Sequence, residues 1–157
     1  MKTSSVASRQ PNPCILLVDD NRNGLIARRA VLEEEGYQVH LASDGEEALK
    51  LFLAGRYDVV VTDYRMPRMD GIELIAQMRQ ARPEVSALLL SGFVEPLGLN
   101  EKNTGADAIV AKNSHEVQNL LRAVSRLLNR RARNGRPAPR KPVTSQRLPP
   151  KARAAAR

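Results

Sequence analysis

Short apolar runs alternate with segments of helical periodicity along most of the chain. Continuous apolar runs bounded by polar residues are typical of strands buried on both faces of a parallel sheet. On this pattern we predict five strands, over 14–18, 38–42, 57–62, 85–90 and 106–111.

The segments between these runs predict helices with recognisable ends. A helix over 25–35 ends before Gly36, which suits the position after a helix C-terminus. Asp44 and Glu47 have capping-box spacing and open a second helix, and Asp70-Gly71 opens a third. The stretch 93–104 contains Pro96 and Gly98, which favour a short or irregular helix.

The last predicted helix has the clearest apolar stripe in the chain. We expect Ser114 to cap it and Glu116 to lie in its first turn. It should continue a turn or two into Arg130-Arg131, where cations suit a helix C-terminus. The stripe consists of Val117, Leu120, Leu121, Val124, Leu127 and Leu128.

A strand followed by a helix thus occurs five times. This order predicts an α/β fold, in which helices cover both faces of an open parallel sheet and the crossovers are right-handed. In such folds ligands bind outside the carboxyl ends of the strands.

The charge of the chain is unevenly distributed. The net charge is +8, but residues 129–157 hold ten of the 25 Lys and Arg residues and none of the 17 Asp and Glu residues. We therefore predict three parts: a flexible segment over 1–13, a folded domain over 14–128 and a basic tail over 129–157. The tail has five prolines and few large apolar residues, which predicts disorder beyond about Arg133.

Two further features of composition restrict the class of protein. Cys14 is the single cysteine, so an internal disulfide framework and a cysteine-rich zinc site are excluded. The sequence also lacks an apolar run of the ~20 residues that a membrane-spanning helix needs. We expect a cytoplasmic protein.

Polar residues follow four of the predicted strands directly. Asp19 and Asp20 follow the first strand, Asp63 the third, Ser91 the fourth and Lys112 the fifth. Taken singly, such residues are more often caps, turn formers or solvated charges. Their joint occurrence at successive strand ends instead predicts one pocket with three carboxylates, a hydroxyl and an ammonium.

Such a pocket favours a specific chemistry. Close carboxylates repel one another, and a hard divalent cation such as Mg²⁺ relieves that repulsion. A carboxylate can also attack phosphorus to give an aspartyl phosphate. Lys112 and Ser91 could then bind the phosphoryl oxygens.

Four motifs carry a family resemblance. ILLVDDN, VVVTDYRMPRMDG, LLLSG and GADAIVAK occur in order, and together the chain from 15 to 128 resembles the receiver domain of two-component response regulators, in particular the single-domain chemotaxis type. The resemblance implies a flavodoxin-like, doubly wound five-stranded parallel sheet. It also implies a signalling module, not a conventional enzyme.

The resemblance assigns roles residue by residue. Asp63 matches the phosphoacceptor, which takes a phosphoryl group from a histidine kinase or phosphotransfer protein in a Mg²⁺-dependent reaction. Asp20 and Asp63 match direct Mg²⁺ ligands, Asp19 matches an acid that binds the ion through water, and Arg65 matches a ligand through its backbone carbonyl.

Two further roles concern the response to phosphorylation. Ser91 matches the switch hydroxyl that moves to the phosphoryl group, and Lys112 matches the ammonium that pairs with it. Met66-Pro67 and Asp70-Gly71 match the loop that follows the acceptor, where we expect Gly71 to add backbone freedom.

Two positions depart from the family pattern. Asn113 follows Lys112 where the family has a proline in a cis peptide, so we expect a trans bond here. Ile109 stands where the family has a switch aromatic, which predicts altered coupling between phosphorylation and output.

Other functions stay open at this point. The chain could be a degenerate receiver that acts as a binding module, while the tail contacts nucleic acid or an acidic partner, or only aids solubility. A Mg²⁺-dependent phosphatase with an Asp nucleophile is a further alternative. It is disfavoured because Arg65 stands where such enzymes carry a second Asp. We expect no second domain and no DNA-binding helix-turn-helix.

Overall fold

A computed structural model describes residues 11–92 and 97–134. The strands are β1 (Cys14–Val18), β2 (Gln38–Ala42), β3 (Val59–Asp63), β4 (Ala87–Ser91) and β5 (Ala108–Ala111). The helices are α1 (Arg22–Glu34), α2 (Gly45–Ala54), α3 (Gly71–Ala81), α4 (Glu101–Thr104) and α5 (Glu116–Arg133).

All strand pairs are parallel, in the order β2-β1-β3-β4-β5. The predicted doubly wound α/β fold is confirmed. Strand β2 lies on one side of β1, and the chain then crosses to β3 on the other side of β1, so the direction of winding reverses between β1 and β3. In this topology that reversal opens a crevice at the carboxyl ends of the two strands.

Two apolar layers cover the faces of the sheet. Side chains that alternate along β1, β3 and β4 pack on one face against α1 and α5, where Leu32 and Leu120 are fully buried. The other face packs against α2 and α3, where Phe52 and Leu74 are buried. Burial on both faces explains why these strands have continuous apolar sequences.

The helix ends confirm most of the predicted caps. Asp44 and Asp70 accept hydrogen bonds from the backbone N–H groups of Glu47 and Glu73. Gly36 has a φ of +91° after α1, as a glycine in the predicted position would. Helix α1 begins three residues earlier than predicted because the side chain of Asn21 caps it.

Some predicted boundaries were wrong. Strands β3, β4 and β5 each start two residues later than expected. Before β3, the carboxylate of Asp58 accepts a hydrogen bond from the N–H of Cys14, so this residue closes a loop and does not extend the strand.

The predicted cap at Ser114 was also wrong. Helix α5 begins at Glu116, and the preceding His115 makes no side-chain cap hydrogen bond. Asn113 organises this end: its side chain accepts from the N–H of His115 and its carbonyl from that of Glu116. An Asn side chain forms such a turn readily and thereby replaces the serine.

The remaining predictions concern the ends of the domain. Helix α5 runs to Arg133 and so crosses the boundary expected at 128. The short helix expected within 93–104 is α4. Three parts of the chain lie outside the described residues: 93–96, most of the flexible segment over 1–13, and the tail beyond 134. No helix within 11–92 or 97–134 has the length and apolar character to cross a membrane.

Candidate functional site

The polar residues predicted at the strand ends meet at one edge of the sheet. Asp63 and Ser91 are the last residues of β3 and β4, and Asp19 and Lys112 directly follow β1 and β5. Since β1, β3, β4 and β5 are successive neighbours in the sheet, these four side chains share its carboxyl edge. Rigid strands therefore fix the position of each group.

Three carboxylates form an acidic cluster at this edge. One oxygen each from Asp19, Asp20 and Asp63 lie within 4.8 Å of one another. Asp19 and Asp63 are buried, at 1% and 7% exposure, whereas Asp20 faces solvent. Such a cluster is able to bind a metal ion, and its hard oxygen donors suit Mg²⁺.

Asp63 lies beside a cation and a backbone donor. The Nζ of Lys112 lies 2.7 Å from its Oδ1, and the N–H of Tyr64 donates to the same oxygen over 3.0 Å. Burial raises the pKa of Asp63 above its ordinary value; Lys112 and the Tyr64 N–H act in the opposite direction, and the charge of Asp19 adds to the rise. The net effect of these surroundings is to disfavour the charged carboxylate.

The two oxygens of Asp19 have separate partners. Oδ1 accepts a hydrogen bond of 2.9 Å from the N–H of Asn21. Oδ2 lies 2.6 Å from Nη1 of Arg28, while the Nζ of Lys112 is 3.9 Å away. The short contact to Arg28 makes it the main charge partner of this acid.

Sequence reasoning missed Arg28. It lies on the inner face of α1, between the buried Leu25 and Leu32, at a position where an apolar residue would be expected. A charge within a buried stripe is the signal that could have revealed it. Burial would lower the pKa of Arg28, but hydrogen bonds and charges from Glu116 and Asp19 raise it, so the side chain stays charged.

The loop after Asp63 is held by backbone contacts. The N–H of Tyr64 donates to the carbonyl of Leu90, and the N–H of Gly71 donates to the carbonyl of Tyr64. A Cβ on Gly71 would collide with the carbonyl oxygen of Asp63 and lie 2.8 Å from Leu89 Cδ1. Gly71 thus allows a close approach of two backbone segments, and the expectation that it serves backbone freedom was incomplete.

The other predicted site residues are placed as follows. Ser91 is 1% exposed and pairs with Ala111 in the β4–β5 register. Arg65 is exposed in the loop after β3, at the rim of an open hollow of about 480 Å³. Ile109 is half-buried on β5. The described residues contain no cis peptide bond, so the predicted trans bond after Lys112 is present.

Comparisons with known proteins point to one family. The sequence profile of the response regulator receiver domain matches residues 15–125. The chain is 40% identical over 94 residues to the response regulator MprA of Mycolicibacterium vanbaalenii, covering 60% of this chain and 39% of that protein. It is 37% identical over 121 residues to the alkaline phosphatase synthesis regulatory protein PhoP of Bacillus subtilis, covering 73% of this chain and 49% of that protein.

The chain therefore spans half or less of the length of these curated relatives. Among solved structures it is similar to the response regulator protein TrrA of Thermotoga maritima in complex with Mg²⁺-BeF, with 34% identity and a TM-score of 0.67 over 74% of this chain and 99% of that one. A further structure contains TrrA in complex with the histidine kinase ThkA.

Proposed function

The chain belongs to the response regulator receiver domain family, and on this premise we propose that it accepts a phosphoryl group on Asp63 in a Mg²⁺-dependent phosphorelay and signals through protein contacts. The observation that carries this proposal is the position of Asp63. It is a buried carboxylate with a cation 2.7 Å from one oxygen and two further acids beside it.

The contacts of Asp63 distinguish its two oxygens. Within the described part of the chain, Lys112 and Tyr64 both bind Oδ1, so Oδ2 is the atom available to attack phosphorus. Its electron pair forms the new P–O bond while the bond from phosphorus to the donor breaks and the donor keeps that pair. We propose that Lys112 binds the incoming phosphoryl oxygens and that buried Ser91 on the neighbouring strand is their hydroxyl partner.

The acids of the cluster fit a divalent cation, which when bound would offset their charge and that of the phosphoryl oxygens. We assign Asp20 and Asp63 as direct ligands. Asp19 engages Asn21 and Arg28 with its two oxygens, which supports an interaction through water. The backbone carbonyl of Arg65 is the fourth proposed ligand.

We propose a histidine kinase or a phosphotransfer protein as the donor, because the similar TrrA forms a complex with the histidine kinase ThkA. Self-phosphorylation from a small acyl phosphate would use the same atoms. Replacement of Asp63 by asparagine is the direct test, because acetyl phosphate should then no longer add a phosphoryl group.

We predict that phosphorylation changes the surface around Ile109 only weakly. Ile109 is half-buried beside a cluster that includes Ile75, Leu89 and partly buried Leu99. It has no hydroxyl, and its branched Cβ restricts χ1. NMR spectra with beryllofluoride and Mg²⁺ should therefore show large amide shifts near Asp63 and small ones on α4, β5 and α5.

The matched variant for this test is Ile109→Tyr, which supplies the aromatic ring that the family pattern has at this position. Its spectra should show larger shifts along β5 and α5 when the phosphoryl mimic binds. Large shifts in the wild-type protein would contradict the prediction, because Ile109 would then transmit the change as well as an aromatic residue does.

A specific observation favours a second function, the binding of nucleic acid. Four exposed arginines lie along one face of α5, and the helix contains no acid after Glu116. None of the four forms an ion pair within 11–92 or 97–134. The sequence beyond 134 adds further basic residues and no acidic one. The face consists of Arg122, Arg126, Arg130 and Arg133.

We predict that this basic face and the tail bind duplex DNA without sequence preference. Such binding arises from the release of counterions and weakens steeply with salt. The double variant Arg122→Gln/Arg126→Gln should lower affinity by about tenfold in low salt, as measured by fluorescence anisotropy. Lys50→Gln/Lys102→Gln removes the same charge elsewhere and should have a smaller effect. Equal affinities for the two double variants and a chain truncated after 134 would contradict the prediction.

A further inference from the structure

We propose that Arg28 is a positioning residue of the acidic cluster. It binds an oxygen of Asp19 and thereby lowers the affinity of the cluster for Mg²⁺. It also connects the cluster to the first turn of α5 through Glu116. The proposal deepens the metal-dependent function proposed above and rests on it. Arg28 is suited to this role because it lies inside the fold, with 11% of its side chain exposed.

The guanidinium of Arg28 binds two acids with two of its nitrogens. Nη1 lies 2.6 Å from Oδ2 of Asp19, and Nε lies 2.5 Å from Oε1 of Glu116. Glu116 is 17% exposed and lies 88 residues away in the sequence. Since a guanidinium is planar and rigid, a change at its Asp19 side also moves the side that holds Glu116.

The chain leaves space for this guanidinium at Gly24. A Cβ at this position would lie 2.7 Å from Nη1 of Arg28 and 3.0 Å from Oδ2 of Asp19. Gly24 belongs to the first turn of α1, and glycine within a helix is unfavourable relative to alanine. A glycine here thus makes room for the contact between Arg28 and Asp19.

Arg28 affects the cluster through both charge and occupancy. Lys112 and Arg28 place two cations against the three carboxylates, so the attraction for a divalent cation is weaker than the acids alone would provide. In addition, both oxygens of Asp19 already accept hydrogen bonds. When Mg²⁺ binds to the cluster, either Arg28 must therefore release Oδ2 of Asp19 or Asp19 must contact the ion through a water molecule.

The first experiment measures the affinity for Mg²⁺ by NMR titration of the full chain with magnesium chloride. Arg28→Met removes the cation and keeps an unbranched side chain, and should lower the Kd for Mg²⁺ at least about fivefold. Arg29→Met is the matched control. Arg29 is the next residue on α1, is 49% exposed and pairs with Glu33, so its loss should change the Kd by less than about twofold.

The second variant protects the test against a folding defect in Arg28→Met. Gly24→Ala favours the helix and keeps the charge of Arg28, but its methyl group displaces the flexible end of that side chain from Asp19. It should also lower the Kd for Mg²⁺. In the wild-type protein the Nε–H resonance of Arg28 should move when Mg²⁺ is added, because that group donates to Glu116, whereas the Nε–H resonance of Arg29 should stay in place.

The possible outcomes separate this inference from the function on which it rests. If the wild-type protein binds Mg²⁺ and both folded variants bind it with unchanged Kd, the role of Arg28 is overturned and the metal-dependent function stands. If neither the wild-type protein nor any variant binds Mg²⁺, both proposals are overturned. Tighter binding in Arg28→Met and Gly24→Ala, but not in Arg29→Met, is the result that supports the inference.

Discussion

Incubation with acetyl phosphate and Mg²⁺ should add the mass of one phosphoryl group to the wild-type protein and none to Asp63→Asn. The amide of asparagine carries no negative charge and is a poor nucleophile, so the attack on phosphorus is lost. The shape of the side chain is kept, and its oxygen can still accept from Lys112 and the N–H of Tyr64. The intact-protein mass measures the result directly, and removal of Mg²⁺ with a chelator should abolish the gain as well.

Asp58 provides a matched control, because it directly precedes β3 whereas Asp63 ends this strand. Asp58, just before β3, accepts a hydrogen bond from the N–H of Cys14, and asparagine can still accept it. Asp58→Asn should therefore gain one phosphoryl group as the wild-type protein does. A gain in Asp63→Asn would place the modification elsewhere. No gain in a folded wild-type protein that binds Mg²⁺ would favour a degenerate receiver that acts as a binding module.

Replacement of Gly71 by alanine should destabilise the protein by about 3 kcal/mol, at the upper end of the usual cost of overpacking. The added methyl group would collide with the backbone carbonyl of Asp63, which lies at the end of a central strand and has little room to move. A chain of this size should lose roughly 6–12 °C in Tm, as measured by circular dichroism or calorimetry. The displaced loop should also reduce the rate of phosphoryl gain.

Gly92 provides the control for this substitution. A Cβ at Gly92 would meet no atom of residues 11–92 or 97–134 within 4 Å, so Gly92→Ala should change the stability by less than about 1 kcal/mol. Similar melting temperatures for the two variants would show that the loop at Gly71 relaxes without cost, and that the close approach to Asp63 is not a constraint on the fold.

The sequence alone determined the sheet and most of the candidate site. Buried parallel strands need apolar residues on both faces, so their sequences stand out as continuous runs. Asp19, Asp63, Ser91 and Lys112 come at or directly after such runs, and parallel strands bring their carboxyl ends to one edge. A local pattern therefore fixed both the element and the end at which each residue lies.

The tertiary structure decided the contacts that join distant parts of the chain. Arg28 binds Asp19 and Glu116, yet its place in the sequence gives only a charge in an otherwise apolar stripe. The need for glycine at position 71 likewise depends on how closely two backbone segments approach. Such contacts depend on distances between elements, which side-chain packing sets and which no local periodicity encodes.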